Sequence, residues 1–100
     1  MKMKEELDFN PLSDSELQSA LKKLPGWSSK DSKISKTYDC KNFMGAISFV
    51  NRIAEIAENL NHHPDIEIHW KHVTISNWTH TKNAVTSADV VLAKEIEAVE

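Results

Sequence analysis

The sequence has a single cysteine, Cys40, so no disulfide can close within the chain and no pair of thiolates is at hand for a structural zinc site. A lone thiol fits a reducing compartment, and Cys40 itself reads as a buried structural residue. The 12 lysines and arginines are scattered and outnumbered by 15 aspartates and glutamates, for a net charge of −3. Without a basic run the chain lacks the footprint that phosphate-backbone binding requires, which argues against nucleic acid as a direct partner. Long hydrophobic runs are missing too. The charged start Met1-Lys2-Met3-Lys4-Glu5-Glu6 leads into no stretch long enough for a signal peptide or a membrane span, so a cytoplasmic location is expected. There are no internal repeats, low-complexity segments or linkers. A length of 100 residues with 40% hydrophobic and 27% charged content predicts one folded domain over 1–100.

What is present starts with Leu12-Ser13-Asp14-Ser15-Glu16-Leu17, a complete helix-start signature in which Ser13 and Glu16 can each accept the other's backbone amide. Leu17, Leu21 and Leu24 recur at helical spacing until Pro25-Gly26, which predicts a helix ending near Leu24. From 27 to 40 the pattern is that of two short strands joined at Asp31-Ser32-Lys33. Asn42 can cap a long helix whose apolar stripe is Phe43, Ile47, Val50, Ile53, Ala54, Ala57 and Leu60, broken by Asn61 and Pro64. Ile66, Ile68 and Trp70 alternate with polar residues, and after a tight turn near Lys71 a second strand is expected over 72–80. In it Val73 and Ile75 face one way and Thr74, Ser76, Trp78 and His80 the other. Thr86 can cap a last helix with Val85, Leu92, Ile96 and Val99 on its apolar side.

This order, α-β-β-α-β-β-α, predicts an α+β two-layer sandwich: a four-stranded antiparallel sheet of two hairpins with three helices on one face. Trp78 then falls on the uncovered face, where a large apolar side chain invites a partner, and self-association is expected.

Histidines carry the chemistry. His62 and His63 follow the long helix and precede Pro64, which biases His63 toward an extended backbone and fixes how the rings leave the helix. Taken alone, such a pair is a charged helix C-terminal cap. His80, at a strand end, is a solvated residue or a binding group. Neither spacing around His69 and His72 matches a zinc pattern, and adjacent imidazoles diverge, so no metal is expected. Asp89 reads as the acidic partner in the Thr86 cap or as a carboxylate that orients an imidazole. Glu58 reads as a solvated helix residue or as a histidine's hydrogen-bonding partner. Trp70 and Trp78 read as packing residues, though either could cover a flat heterocycle.

Together, Glu58, three residues, His62-His63-Pro64, five residues, Trp70, nine residues, His80, eight residues and Asp89 resemble the signature of the pterin-4a-carbinolamine dehydratase family. The resemblance implies that family's α-β-β-α-β-β-α fold. It also implies dehydration of 4a-hydroxytetrahydropterin, the product an aromatic amino acid hydroxylase leaves, to quinonoid dihydropterin in tetrahydrobiopterin recycling. No metal or redox cofactor is needed, because imidazoles can donate one proton and collect the other. By position, His62 and His80 resemble the acid–base pair, and His63 a substrate-binding residue that shares the catalytic load. Glu58 and Asp89 resemble carboxylates that touch the pterin or orient a ring, and Trp70 a residue that closes or packs the pocket. Asn61 stands where some members carry an acidic residue. Relatives of this fold also resemble assembly or dimerisation cofactors, so the implied partners are a pterin, an aromatic amino acid hydroxylase in the same pathway, and further copies of the chain in a homodimer or homotetramer.

Overall fold

The structure, a computed structural model, describes residues 7–100; the charged start at 1–6 lies outside the described residues. Ser13 caps α1 (Asp14–Leu21): its hydroxyl accepts the Glu16 amide at 3.1 Å, and the Glu16 carboxylate accepts the Ser13 amide at 2.8 Å. The helix closes at Leu21 rather than near Leu24. Pro25 disfavours a helical conformation at the residue before it, and the chain tightens into turns, with Lys23 N–H donating to Ala20 and Leu24 N–H to Leu21.

Strands β1 (Ser28–Lys30) and β2 (Lys33–Asp39) form a hairpin whose two-residue turn is Asp31-Ser32. Both turn residues have positive φ, 53° and 64°, the left-handed geometry whose twist matches the flanking strands. Helix α2 (Phe43–Leu60) starts at Asn42, whose side-chain oxygen accepts the Gly45 amide at 2.7 Å. It ends at Asn61 in the left-handed region, φ 51°, and His62 N–H reaches back to the Ala57 carbonyl at 3.1 Å, a Schellman closure. Strands β3 (Asp65–His69) and β4 (His72–Asn77) pair across the Trp70-Lys71 turn. Helix α3 (Ser87–Val99) completes the described chain.

The sheet order is β1-β2-β4-β3, all neighbours antiparallel. The register Ile34↔Asn77, Lys36↔Ile75, Tyr38↔Val73 puts these residues on one face, and Ile66 joins them through its pairing with Ile75. That face packs with α1, α2 and α3 into one core, so the expected α+β architecture with three helices on one face is the observed one. Ile34, Ile53, Ile75 and Ile96 are completely buried; truncating any of them to alanine costs about 2–5 kcal/mol. The sheet's other face carries Ser35, Thr37, Thr74 and Ser76, with Trp78 just beyond the end of β4.

Two readings of the helices shift. The core face of α2 is Ala46, Phe49, Ile53, Ala57 and Leu60, whereas Phe43 is 51% exposed and Ala54 is exposed. Both stripes have helical spacing and share Ile53, Ala57 and Leu60, so periodicity alone does not decide between them; packing against the sheet and α3 buries the side that carries Ala46 and Phe49. On α3, Ala88, Val90, Leu92, Ala93 and Ile96 are buried, while Val99 is only half-buried. The helix is tied to β2 through Glu97, which accepts from Lys36 Nζ at 2.7 Å, from Trp27 Nε1 at 3.3 Å and from the Tyr38 hydroxyl. Cys40 is half-buried just after β2, and burial, then the Asp39 carboxylate, raises its thiol pKa.

Candidate active site

The strand expected over 72–80 stops at Asn77. There the Asn77 amide turns to the Asp89 carbonyl at 2.8 Å, Thr79 pairs with Ala84 instead of β2, and His80 opens a single 3-10 turn, His80–Lys82. The chain thus leaves the sheet beside the C-terminal end of α2. His62, His63 and His80 come together there, lining one open cleft of ≈ 290 Å³ with Phe9, Trp78 and Thr79 among the other walls. A larger cleft, ≈ 430 Å³, lies against Cys40, Ser48, Arg52 and Glu100 and contains no histidine. Among the described residues no group of three or more His, Cys, Asp or Glu is gathered to hold a metal ion.

Each histidine is held differently. His62 is 8% exposed, and its Nε2 lies 2.5 Å from Oδ1 of Asp89, which is completely buried. The other Asp89 oxygen accepts the Thr86 amide at 2.8 Å and the Thr79 hydroxyl at 3.0 Å, and the Thr79 and Thr86 hydroxyls are 2.8 Å apart. One carboxylate therefore caps α3 and orients an imidazole: the two readings of Asp89 in the sequence are both realised. His63 Nε2 lies 2.5 Å from Glu58 Oε2, but this pair is largely exposed and contributes about 0–1 kcal/mol. In both cases Nε2 is engaged with a carboxylate, which leaves Nδ1 as the nitrogen for a ligand. His80 is exposed, has no hydrogen-bond partner for its ring among the described residues, and stacks on Trp78.

Trp70 is not at the cleft. It sits 66% exposed at the tip of the β3-β4 hairpin with φ 56°, and the strand between it and Pro64 is about 17 Å long at ~3.3 Å per residue. Its ring neighbours are His72, edge-on, and Lys71.

Phe9 and Thr79 belong to the site without standing out in the sequence. Phe9 packs its ring against His62 in a T-shaped contact, centroids 5.7 Å apart. The segment carrying it crosses the start of α3: Asp8 O accepts from Ala88 N–H at 3.2 Å and from the Ser87 hydroxyl at 3.0 Å, and Leu12 N–H donates to Val85 O at 3.0 Å. Nothing near Phe9 in the sequence announces this crossing. Thr79 did leave a trace. The alternation that turns Val73 and Ile75 inward also turns Asn77 and Thr79 inward, and polar residues at core-facing positions call for buried partners.

The arrangement can shuttle protons. Two imidazoles with carboxylates behind them, and a third with no such partner among the described residues, line a small open space. The family model for pterin 4 alpha carbinolamine dehydratase matches residues 10–99. A relative from Herpetosiphon aurantiacus is 46% identical over 88 residues, covering 88% of this chain and 92% of its own, and one from Nocardia farcinica is 42% identical over 86 residues, covering 86% and 90%. Both carry the provisional name pterin-4-alpha-carbinolamine dehydratase. The crystal structure of a transcriptional coactivator/pterin dehydratase from Brucella melitensis superposes with a TM-score of 0.86 at 34% identity, over 90% of this chain and 98% of that one. A pterin dehydratase-like protein identified as a RuBisCO assembly factor in the alpha-carboxysome shares the fold, with a TM-score of 0.61 at 19% identity over 73% and 84% of the two chains. This chain belongs to the pterin-4-alpha-carbinolamine dehydratase family.

Proposed function

We propose that the protein is a 4a-hydroxytetrahydrobiopterin dehydratase, a hydro-lyase that eliminates water from 4a-hydroxytetrahydropterin by histidine acid–base catalysis. The observation that carries this reading is the convergence of His62, His63 and His80 on one cleft, two of them with Nε2 on a carboxylate. The C4a hydroxyl must depart as water, and a ring N–H must be given up. Electron density from the neighbouring ring nitrogen expels the hydroxyl, an imidazolium protonates it, and a neutral imidazole takes the ring proton. The pterin loses one water and changes no oxidation state.

His62 and His80 serve as the acid–base pair. Asp89 fixes the His62 ring and balances positive charge that forms on it, and low water access on that side strengthens the interaction. His63, held by Glu58, binds the substrate and shares the proton load. Trp70, at the far hairpin tip, has no part in the cleft of a single chain. The product is quinonoid dihydropterin, and the reaction belongs to tetrahydrobiopterin recycling behind an aromatic amino acid hydroxylase, in the cytoplasm. Among the described residues no helix is long and apolar enough to cross a membrane. Exposed Phe43 and Met44 on α2, and Ile68 and Trp70 at the β3 edge, support a homodimer or homotetramer.

A second reading, a non-catalytic dimerisation or assembly cofactor, draws on the RuBisCO assembly factor that shares the fold. Purified protein added to 4a-hydroxytetrahydropterin formed in situ separates the two. Dehydration requires quinonoid dihydropterin to appear about a hundredfold or more faster than in buffer. An unchanged rate overturns it in favour of the cofactor.

A further inference from the structure

Among the described residues, His62 and His63 each have a carboxylate on Nε2 and His80 has none, and an exposed imidazole held by no hydrogen bond turns freely about its terminal torsion. Its ring nevertheless lies flat against Trp78, with centroids 4.2 Å apart and planes inclined by 24°. We propose that Trp78 is a positioning residue whose indole holds the His80 ring in the orientation that proton transfer in the cleft requires. This rests on the reading of His80 as one of the acid–base pair.

The backbone explains how the pair comes to stack. Residues two apart on an extended strand point the same way but sit about 7 Å apart, so rings standing straight out from it lie farther apart than the 4.2 Å of this stack. Here β4 ends at Asn77, Thr79 turns inward to Asp89, and His80 begins the 3-10 turn. The turn lets the His80 ring fold back onto the indole of Trp78. Trp78 is itself restrained. It follows Asn77, whose partner across the ladder is Ile34, so the next residue on each strand brings Trp78 beside Lys33, and Lys33 Nζ lies over the indole at 4.4 Å from its centroid.

Stacking occupies one face of the imidazole and leaves its edge, where both nitrogens lie, clear. Hydrogen bonding would have engaged one nitrogen, as it does in His62 and His63. An indole therefore fixes the plane of the ring while leaving each nitrogen able to gain or lose a proton. Trp78 also lines the cleft, so the stack forms part of its wall.

Proton NMR of the intact protein, with the dehydration assay run on the same samples, tests this. In the native protein the His80 ring protons are expected upfield of those of an exposed histidine, shifted by the indole ring current. Trp78→Leu abolishes that shift and lowers kcat about tenfold or more with KM changed less than about threefold, whereas Trp78→Phe, which can still stack, keeps most of both. His80 protons at ordinary exposed positions in the native protein overturn the stack, whether or not any variant folds. A Trp78→Leu protein with native kcat, or a Trp78→Phe protein as slow as Trp78→Leu, overturns the positioning role. Native protein with shifted His80 protons but no dehydratase activity overturns the catalytic reading while leaving the stack established.

Discussion

Asp89→Asn replaces one carboxylate oxygen by an amide at a position with no exposed surface. The native carboxylate accepts from His62 Nε2 at 2.5 Å on one oxygen, and from the Thr86 amide at 2.8 Å and the Thr79 hydroxyl at 3.0 Å on the other. Asparagine can keep its oxygen toward Thr86 and Thr79, because those groups are donors. Its amide then points at His62, Nε2 must accept instead of donate, and the ring proton moves to Nδ1, the nitrogen left for the substrate. One charge-assisted hydrogen bond becomes a neutral one and a second set loses its charge, a loss of about 2 kcal/mol. For a domain of ~100 residues this lowers Tm by roughly 8–16 °C. Activity falls much further, by about 10²–10⁴, because the imidazole keeps its place but carries its proton on the wrong nitrogen. Thermal melts read the first effect; dehydration rates taken well below the variant's Tm read the second. A variant with a lowered Tm and a native rate refutes the proposed role of the Asp89–His62 pair. A Tm within about 2 °C of native refutes the energetics of the buried network.

Other consequences are smaller or lie elsewhere in the fold. Glu58→Gln disturbs the exposed His63 pair and is expected to lower Tm by no more than about 4–8 °C and the rate by no more than about tenfold, read in the same two assays. Gly45→Ala should destabilise by about 1–3 kcal/mol in denaturant melts even though alanine favours helix, since the added carbon would meet the Cys40 carbonyl oxygen at 2.3 Å. Burial raises the Glu97 pKa, but the hydrogen bonds from Lys36, Tyr38 and Trp27 outweigh it and leave the carboxyl below its ordinary value. Its contribution to stability is therefore complete above the unfolded-state pKa of about 4.3 and lost as pH falls through the lower folded value. Denaturant midpoints should drop across that acid range, and Glu97→Gln should flatten the drop; an unchanged slope contradicts the assignment.

The sequence announces its local devices well because they are decided within a few residues. The Ser13–Glu16 capping box, the Asn42 and Thr86 caps and the two hairpins all form where neighbouring side chains and backbone geometry predict them. Long-range packing is less legible: the stripe on α2 led by Phe43 gives way to one built on Ala46 and Phe49, since the identity of the face depends on what the sheet brings to it. The end of β4 differs from the expected one for the same reason: Asn77 still pairs with Ile34 of β2 but its side chain goes to α3, and Thr79 leaves the ladder to bond Asp89 of α3. In the site, the histidines and Asp89 are found through fixed spacing, and Trp70 shares that spacing without sharing the cleft. Phe9 reaches His62 only because its segment crosses the α3 start, a contact spanning over half the chain that no local pattern encodes.

The most direct measurement is an NMR map of the five histidines as an unreactive dihydropterin is added. The account expects His62, His63 and His80 to shift together and saturate at one affinity while His69 and His72 stay in place. Shifts confined to His69 and His72, or no shift at any of the five histidines, would contradict it.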